Sequence, residues 1–356
     1  MSDKSAIGTW IVLDGPEEAT EFPSVGGDSA SPGFQEVYWQ CVALFFLTSC
    51  AHNPGNPHLL YCNKRVQDAA PPAIAALLGQ LGVEAVHLPL TRRLPRSAAP
   101  RWGSVFYELD VLAHFAGGGR PSLVLADSDC VWRRPFEPFE DRLLGSGCLL
   151  YALRPGDQKD YQGDVLINGM SKRRMAAVAR DLFGVRPSRG ISYCGGEFCA
   201  FTRDWCRSAS PMLDRLWDHA CAHSADPDAI RTEEHLWSIA AAAAGVDPGG
   251  ANGIVRRIWT NFEDGNAEPS DLDLAVWHLP AEKKYGFRRM WSAVEASRPG
   301  PAHLSAERLN AMTERFMGVP RRGLRKAALD VRDKAHERSR ALCRSLAASS
   351  GLRRAA

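Results

Sequence analysis

The first third of the chain alternates short apolar runs with longer stretches that have helical spacing. Four runs have the length and apolar character of buried strands, at 9–13, 58–62, 84–88 and 123–126. The intervening stretches predict helices over 34–49, 72–81 and 104–115. Strands that alternate with helices in this way predict an α/β fold with a mainly parallel sheet and right-handed crossovers.

Further strands are predicted at 147–153 and 254–259, and a short apolar run over 274–276 precedes His278. The final stretch, 320–356, has a helical period and is strongly basic. Its apolar stripe is thin and rich in alanine, which favours a peripheral helix docked on the core with a solvated basic face. The alternative is contact with an anionic membrane surface or another polyanion. The stripe comprises Leu324, Ala328, Val331, Ala335, Leu342 and Leu346.

Composition excludes several classes of protein. The 356 residues are 45% hydrophobic and 24% charged, a globular balance, and a net charge of +2 argues against a general nucleic-acid binder. We expect neither a signal peptide nor a transmembrane segment, because the amino terminus lacks a basic and apolar leader and the longest apolar run is short. Ten scattered cysteines without a CxxC pair predict buried thiols in a reducing, cytoplasmic setting.

Asp127-Ser128-Asp129 directly follows the strand predicted at 123–126. Ligands of open α/β sheets bind at the carboxyl ends of strands, and carboxylates suit Mg²⁺ or Mn²⁺, which commonly accompany phosphates. The pair therefore predicts a metal–diphosphate site. An alternative is a phosphoryl nucleophile at Asp127, since the segment also resembles the first motif of haloacid-dehalogenase-like phosphatases. Three strand–helix units precede the pair, however, whereas that motif normally opens its domain.

A second segment that could bind a metal or a diphosphate begins at His278 and continues to Lys283 and Lys284. A neutral imidazole can complete a metal site begun by carboxylates. A nearby lysine can balance the charge of a diphosphate. Considered alone, a surface histidine with two solvated lysines would be the default interpretation, whereas together with the Asp pair the segment favours a metal ligand.

Two other segments add glycines and carboxylates. In 190–198, Gly195 and Gly196 precede Glu197, and paired glycines let a backbone approach a ligand closely, although a plain turn is the simpler interpretation. In 231–237, Thr232 is a plausible N-cap that places Glu233 and Glu234 in the first helical turn. That arrangement is also ordinary helix capping.

Taken together and in this order, the four segments resemble the metal-dependent glycosyltransferases of the GT-A fold, from the first strand to about residue 290. The resemblance implies that Asp127 and Asp129 bind Mn²⁺ or Mg²⁺ with the donor diphosphate and that His278 completes the metal shell. It places the acidic helix start at the reacting centre. The remaining implied contacts are Gly195, Gly196 and Glu197 with acceptor and donor sugar, Lys284 with the diphosphate, and Asp14 with the nucleotide base.

The family also implies a reaction and a domain plan. A sugar would pass from a nucleoside diphosphate, with UDP expected, to a hydroxyl of a saccharide or small natural product. Glu233 or Glu234 would act as base or would steady the transition state, and retention is preferred over inversion. The catalytic domain would span 1–295, with a nucleotide half over 1–135 and an acceptor half over 136–295, followed by a basic helical extension over 296–356. A non-catalytic sugar-nucleotide-binding protein is the third possibility.

Overall fold

The computed structural model describes residues 4–335 and 339, apart from 23–24, 26, 96, 99–100, 155–156, 158–167, 188–189, 262–264 and 299. Six strands form a central sheet in the order β3-β2-β1-β4-β7-β6. The first four are mutually parallel, whereas β7 is antiparallel to both β4 and β6. They are β1 (Ala6–Ile11), β2 (His58–Cys62), β3 (Glu84–His87), β4 (Ser122–Ala126), β6 (Cys148–Ala152) and β7 (Cys194–Thr202). The predicted α/β class with a mainly parallel sheet is confirmed.

Helices flank the sheet and fill most of the connections. Those before β7 are α1 (Pro32–His52), α2 (Val66–Ala69), α3 (Pro72–Gln80), α4 (Tyr107–Gly117), α5 (Glu140–Ser146) and α6 (Lys172–Phe183). Those after it are α7 (Arg203–Ala222), α8 (Glu233–Ala244), α9 (Arg288–Glu295), α10 (Ala306–Met317) and α11 over 324–335.

The four leading strands occur where the apolar runs predict them, within three residues at each end. Strands β2 and β4 are buried at every position, as expected for a sheet that is covered by helices on both faces. Helix α1 packs against β1 and α3 and is buried continuously from Trp39 to Ser49. The apolar stretch that predicted this helix therefore lies in the core.

The longest strand, β7, has no counterpart among the predicted elements. Its apolar and small residues surround the Gly195-Gly196 pair, for which a turn is one of the two interpretations from sequence. Pairing runs from Ser122 with Thr202 to Ala126 with Phe198, so the first residues of β7 extend past the carboxyl end of β4. This extension places a segment of β7 beside the Asp pair.

A second, three-stranded sheet determines the geometry of the site. It comprises β5 (Cys130–Trp132), β9 (Val276–His278) and β8 (Val255–Arg257), in the order β5-β9-β8. In the register, His278 lies opposite both Cys130 and Arg257. Cys130 follows Asp129 directly, so the small sheet joins His278 to the Asp pair across about 150 residues of sequence.

The carboxyl-terminal helices are part of the folded unit. In α10, Asn310 accepts from the Arg133 guanidinium through its carbonyl oxygen at 2.7 Å, and Glu314 forms an ion pair with the same arginine at 2.5 Å. Helix α11 is oriented opposite to the prediction, because Leu324 is 90% exposed and Val331 57% exposed. Residues 336–338 and 340–356 of the basic stretch lie outside the described residues. Within the described part of the chain, every helix is too short or too polar to cross a membrane.

Candidate active site

Asp127, Asp129 and His278 converge at the carboxyl end of β4. One donor atom from each lies within 4.8 Å of the other two. His278 Nε2 is 3.1 Å from Asp129 Oδ2 and 3.7 Å from Asp127 Oδ2. The backbone holds the first aspartate in place, since Asp127 N donates to Glu197 O at 3.0 Å. The structure brings these three side chains together, and their role as metal ligands stays a prediction.

The chemistry of the three donors fits a divalent cation. Among the described residues, Asp129 Oδ2 and His278 Nε2 are buried and lie 3.1 Å apart, and Lys283 Nζ lies 2.7 Å from the same aspartate oxygen, so ion pairs hold these atoms. Two carboxylates and an imidazole form a mixed oxygen and nitrogen set, which suits Mn²⁺ and is compatible with Mg²⁺.

Glu197 orients the His278 ring. Its Oε1 is 3.2 Å from Nδ1, which leaves Nε2 directed at the aspartates, and a histidine that ligates a metal usually has such a partner. Burial by itself would lower the pKa of His278, but Asp129 and Glu197 raise it to about 9. Without a bound cation the imidazole therefore carries a proton at neutral pH, whereas the sequence argument used the neutral form.

Arg257 in β8 connects the metal-binding cluster to α8. It contacts Glu197 through two bonds of 2.7 Å and Glu234 Oε1 at 2.6 Å. Burial opposes ionisation of Glu197, yet Arg257 and His278 lower the pKa of that carboxyl to about 2. Glu234 Oε2 is also occupied, because Asn168 Nδ2 and the Tyr193 hydroxyl donate to it. Glu197 and Glu234 are thus anchoring carboxylates that Arg257 neutralises.

Glu233 is the contrasting member of the acidic pair. Its Oε2 is buried and has no hydrogen-bond partner among the described residues. Burial, followed by the charge of Glu234, raises the pKa of Glu233 well above its usual value. Thr232 occupies the N-cap position of α8 as predicted, but its side chain forms no capping hydrogen bond. Glu233 therefore lines the cavity as an available carboxyl, whereas Glu234 is held by the protein.

The two glycines of β7 make room for carboxylates. An added Cβ would lie 1.9 Å from Glu197 Oε2 at Gly195 and 2.5 Å from Glu233 Oε1 at Gly196. Both approaches are far inside van der Waals contact. The sequence argument assigned these glycines to close approach by a ligand. The structure shows that a larger residue at either position would also collide with Glu197 or Glu233.

We expect Gly196→Ala to reduce turnover by about tenfold or more, because the new methyl group must displace Glu233 from its position over β7. The strand is central and buried, so the glutamate side chain is the part that yields. Steady-state rates of the variant and the wild type test this. Gly253→Ala is a matched control, since nothing lies within 4 Å of a Cβ there. An unchanged rate in Gly196→Ala would contradict the assigned role of Glu233.

Of the two adjacent lysines, Lys283 reaches the site. Its Nζ lies 2.7 Å from Asp129 Oδ2, and the residue lines the cavity. Lys284, which the family resemblance nominated, is half-buried and is absent from the cavity wall. A π-helical turn over Lys283–Phe287 sets which lysine points inward. Such turns are rare and frequently occur at functional sites. The donor-binding role predicted for Lys284 stays untested, and the geometry favours Lys283.

Asp14 lies beyond the end of β1 and lines the same cavity. Both of its carboxylate oxygens are occupied: Arg93 contacts Oδ1 at 2.5 Å, and the Ser29 hydroxyl donates to Oδ2 at 2.6 Å. Its backbone carbonyl also accepts from the Gln35 amide. These bonds link the end of β1 to Ser29, to the first turn of α1 and to Arg93, and a base contact by Asp14 stays a prediction.

Asp127, Asp129, His278, Glu233 and Lys283 face a cavity of about 580 Å³, a size typical of small-molecule sites. Aromatic side chains contribute to its lining, with Trp10, Tyr38, Trp102 and Trp259 among them. Sequence reasoning named Lys283 in the segment after His278 but chose Lys284 for the diphosphate, and it missed Arg257. The signal for Arg257 was available, because an arginine inside a predicted apolar strand requires a buried anionic partner.

No protein-family model and no curated protein matches this chain. Among solved structures it is similar to the galactosyltransferase LgtC in complex with donor and acceptor sugar analogues, with 12% identity and a TM-score of 0.46 over 88% of this chain and 97% of LgtC. It is also similar to the bifunctional glycosyltransferase WbbM, with 8% identity and a TM-score of 0.47 over 77% of this chain and 45% of WbbM. It is similar as well to mouse xyloside xylosyltransferase 1, with 9% identity and a TM-score of 0.44 over 77% of this chain and 97% of that enzyme. With such low identities and TM-scores below 0.5, the function has to be inferred from the site itself.

Proposed function

We propose that this protein is a metal-dependent glycosyltransferase that moves a sugar from a nucleoside diphosphate to a hydroxyl acceptor. The observation that carries the proposal is the convergence of Asp127, Asp129 and His278 at the carboxyl edge of the sheet, within a cavity of small-molecule size. Carboxylates and an imidazole so placed are suited to a cation that arrives with phosphates. The sequence resemblance to GT-A enzymes agrees with this chemistry, and UDP is the expected nucleotide.

Departure of the diphosphate is the step that needs charge stabilisation. A Mn²⁺ or Mg²⁺ ion bound by the two aspartates and His278 would supply Lewis-acid stabilisation of the leaving phosphate oxygens. Lys283 adds a fixed positive charge beside Asp129. Burial would lower its pKa, but Asp129 and then Tyr38 raise the pKa of Lys283 above its usual value, so it stays protonated at neutral pH. Leaving-group assistance then needs no protein acid.

Glu233 is our candidate for the group that faces the reacting sugar. Its side chain lies over Gly196 and its Oε2 is unbonded among the described residues, whereas Arg257, Asn168 and Tyr193 engage Glu234. A carboxylate there can accept the acceptor proton or can stabilise positive charge that develops on the sugar ring. We favour the second role with retention of configuration. The anomeric configuration of the product, determined by NMR, distinguishes the two.

The phosphatase alternative needs Asp129 to deliver a proton while Asp127 acts as nucleophile. Burial disfavours the ionised form of Asp129, but Lys283 and then His278 outweigh it and hold its pKa well below the usual range. A carboxyl with such a low pKa is a poor general acid near neutral pH. The electrostatics of the pair therefore favour a chelating function.

Thermal unfolding with a panel of nucleotide sugars tests the proposal. UDP-, GDP- and dTDP-sugars are each added with Mn²⁺ and then with EDTA. We expect one nucleotide to raise the Tm by several degrees only when the metal is present, since a ligand at one hundred times its Kd stabilises by about 2.7 kcal/mol. A shift of the same size with EDTA would reject the metal–diphosphate site, and no shift with any member would reject a nucleotide-sugar donor.

A further inference from the structure

Helix α11 directs three of its charged side chains inward. Lys326, Asp330 and Asp333 are buried, whereas the apolar stripe that contains Leu324 and Val331 faces solvent. Buried charges are tolerated only when they are paired and hydrogen-bonded, so the contacts of this inner face are the reason that the helix lies where it does. These contacts lead to the active site.

Lys326 is the centre of the contacts. Its Nζ lies 2.7 Å from Glu282 Oε1 and 2.8 Å from Asp330 Oδ2, and all three side chains are at most 5% exposed. Arg289 and Arg322 also bind Asp330, so the two acids and three bases form one ion network. Within that network, Lys326 is the cation that bonds Glu282.

Glu282 is the residue directly before Lys283, and its carboxylate holds the π-helical turn. Its Oε2 accepts from Gly286 N at 3.0 Å, and its Oε1 accepts from the Thr260 hydroxyl. Packing at this point is tight. A Cβ on Gly286 would lie 2.5 Å from Glu282 Oε2 and 2.7 Å from Met317 Sδ. The carboxylate of Glu282 therefore needs to remain in this position for the turn to keep its shape.

The turn in its present form presents Lys283 to Asp129. A normal α-helical turn at the same place would rotate the following side chains, because a π-helical turn contains one residue more per hydrogen-bonded ring. The path from Lys326 to the metal-binding aspartate thus comprises three contacts: Lys326 with Glu282, Glu282 with the turn, and Lys283 with Asp129. Helix α11 also reaches the cavity wall through Asp330 and Lys334.

We propose that Lys326 is a positioning residue for the donor diphosphate, which acts by neutralising Glu282 and so holding the turn that presents Lys283. This inference rests on the proposed function. It assigns the carboxyl-terminal helix to the donor site, whereas the sequence suggests a peripheral attachment. Among the described residues, loss of the Lys326 charge would leave Glu282 buried with neutral donors from Thr260 and Gly286, and the carboxylate would then protonate or leave the turn.

The test compares Lys326→Met with Arg332→Met. Methionine keeps the length of the lysine stem and removes its charge. Arg332 lies on the same helix and is 68% exposed, and among the described residues its ion-pair partner is Asp333. In the presence of Mn²⁺ we expect Lys326→Met to weaken the binding of UDP by about tenfold in titration calorimetry, and Arg332→Met to leave it unchanged. Equal affinities for UDP in the Lys326 variant and the wild type would overturn the inference.

Hydrogen exchange gives a second readout that needs no ligand. The amide of Gly286 should exchange at least about tenfold faster in Lys326→Met than in the wild type, and amides of β2 should not change. If wild-type protein fails to bind UDP but the Gly286 amide still exchanges faster in Lys326→Met, the proposal of a UDP-linked donor is wrong, whereas the role of Lys326 in holding the turn is supported. Unchanged exchange at Gly286 rejects the positioning role, whatever the protein binds.

A compensated variant guards against general unfolding. Lys326→Met combined with Glu282→Gln removes both charges, so no buried ion is left unpaired, and the amide oxygen can still accept from Gly286 N. We expect the double variant to recover the Tm lost by Lys326→Met and to recover at least half of the lost UDP affinity on a logarithmic scale. Recovery of Tm without recovery of affinity would show that Lys326 contributes only to stability.

Discussion

Replacing Asp129 by asparagine should abolish Mn²⁺-dependent hydrolysis or transfer from the nucleotide sugar, with a loss on the order of a thousandfold. The substitution removes a carboxylate from the proposed three-residue metal site and also removes the direct partner of Lys283. Initial rates across a Mn²⁺ titration measure the effect. Because two buried cationic groups lose an anionic partner, the variant should also unfold at a lower temperature than the wild type.

Asp127→Asn separates the loss of metal from the loss of stability. Asp127 is 29% exposed and lies 3.7 Å from His278 Nε2, so its removal should reduce metal-dependent activity strongly with a much smaller change in Tm. Asp273→Asn, at a 79% exposed surface ion pair, is the control that should change neither quantity. Full activity of the Asp129 variant, or wild-type activity in EDTA, would contradict the proposed metal site.

Glu233→Gln should lower the rate by about a hundredfold while the protein becomes slightly more stable at neutral pH. Burial and the neighbouring Glu234 raise the pKa of Glu233 well above its usual value, so its ionised form costs folding free energy above the pKa of the unfolded chain. A neutral amide removes that cost and also the charge that would face the reacting sugar. Single-turnover rates and urea unfolding between pH 5 and 8 measure the two effects.

The stability difference between Glu233→Gln and the wild type should depend on pH with a definite sign. As the pH falls, Glu233 in the wild type takes up a proton and the free-energy cost of its buried charge disappears, so the stability advantage of the glutamine variant should become smaller. Glu234→Gln is the matched control, because that carboxylate pairs with Arg257 and its neutralisation should destabilise the protein. If Glu233→Gln destabilised the protein as much as Glu234→Gln, Glu233 would be an anchoring residue like its neighbour, and its proposed catalytic role would be wrong.

The order of strands and helices could be predicted because it depends on local periodicity. Each of the four leading apolar runs became a parallel strand, and Asp127 and Asp129 follow β4 as predicted. The central strand β7 was missed. Its glycine pair lowers strand propensity, and the strand is stabilised by neighbours on both sides that no local pattern reveals.

The partners of the Asp pair were predictable only in part. His278 was expected near the aspartates through a family resemblance, and the register of the small sheet places it there. The choice between Lys283 and Lys284 was beyond the sequence, because a single π-helical turn changes which side chain faces inward. Arg257 likewise acquires its meaning only from Glu197 and Glu234, which are distant in sequence.

Local sequence thus established the α/β architecture, the position of the carboxylates at the edge of the sheet and the helical character of the described part of the basic tail. Tertiary structure decided which charges are paired and which are available, since pairing depends on distances between segments far apart in the chain. Helix α11 shows the physical reason. Its apolar period predicted that Leu324 would pack on the core, but Glu282 supplies a buried partner for Lys326, and the charged face turns inward.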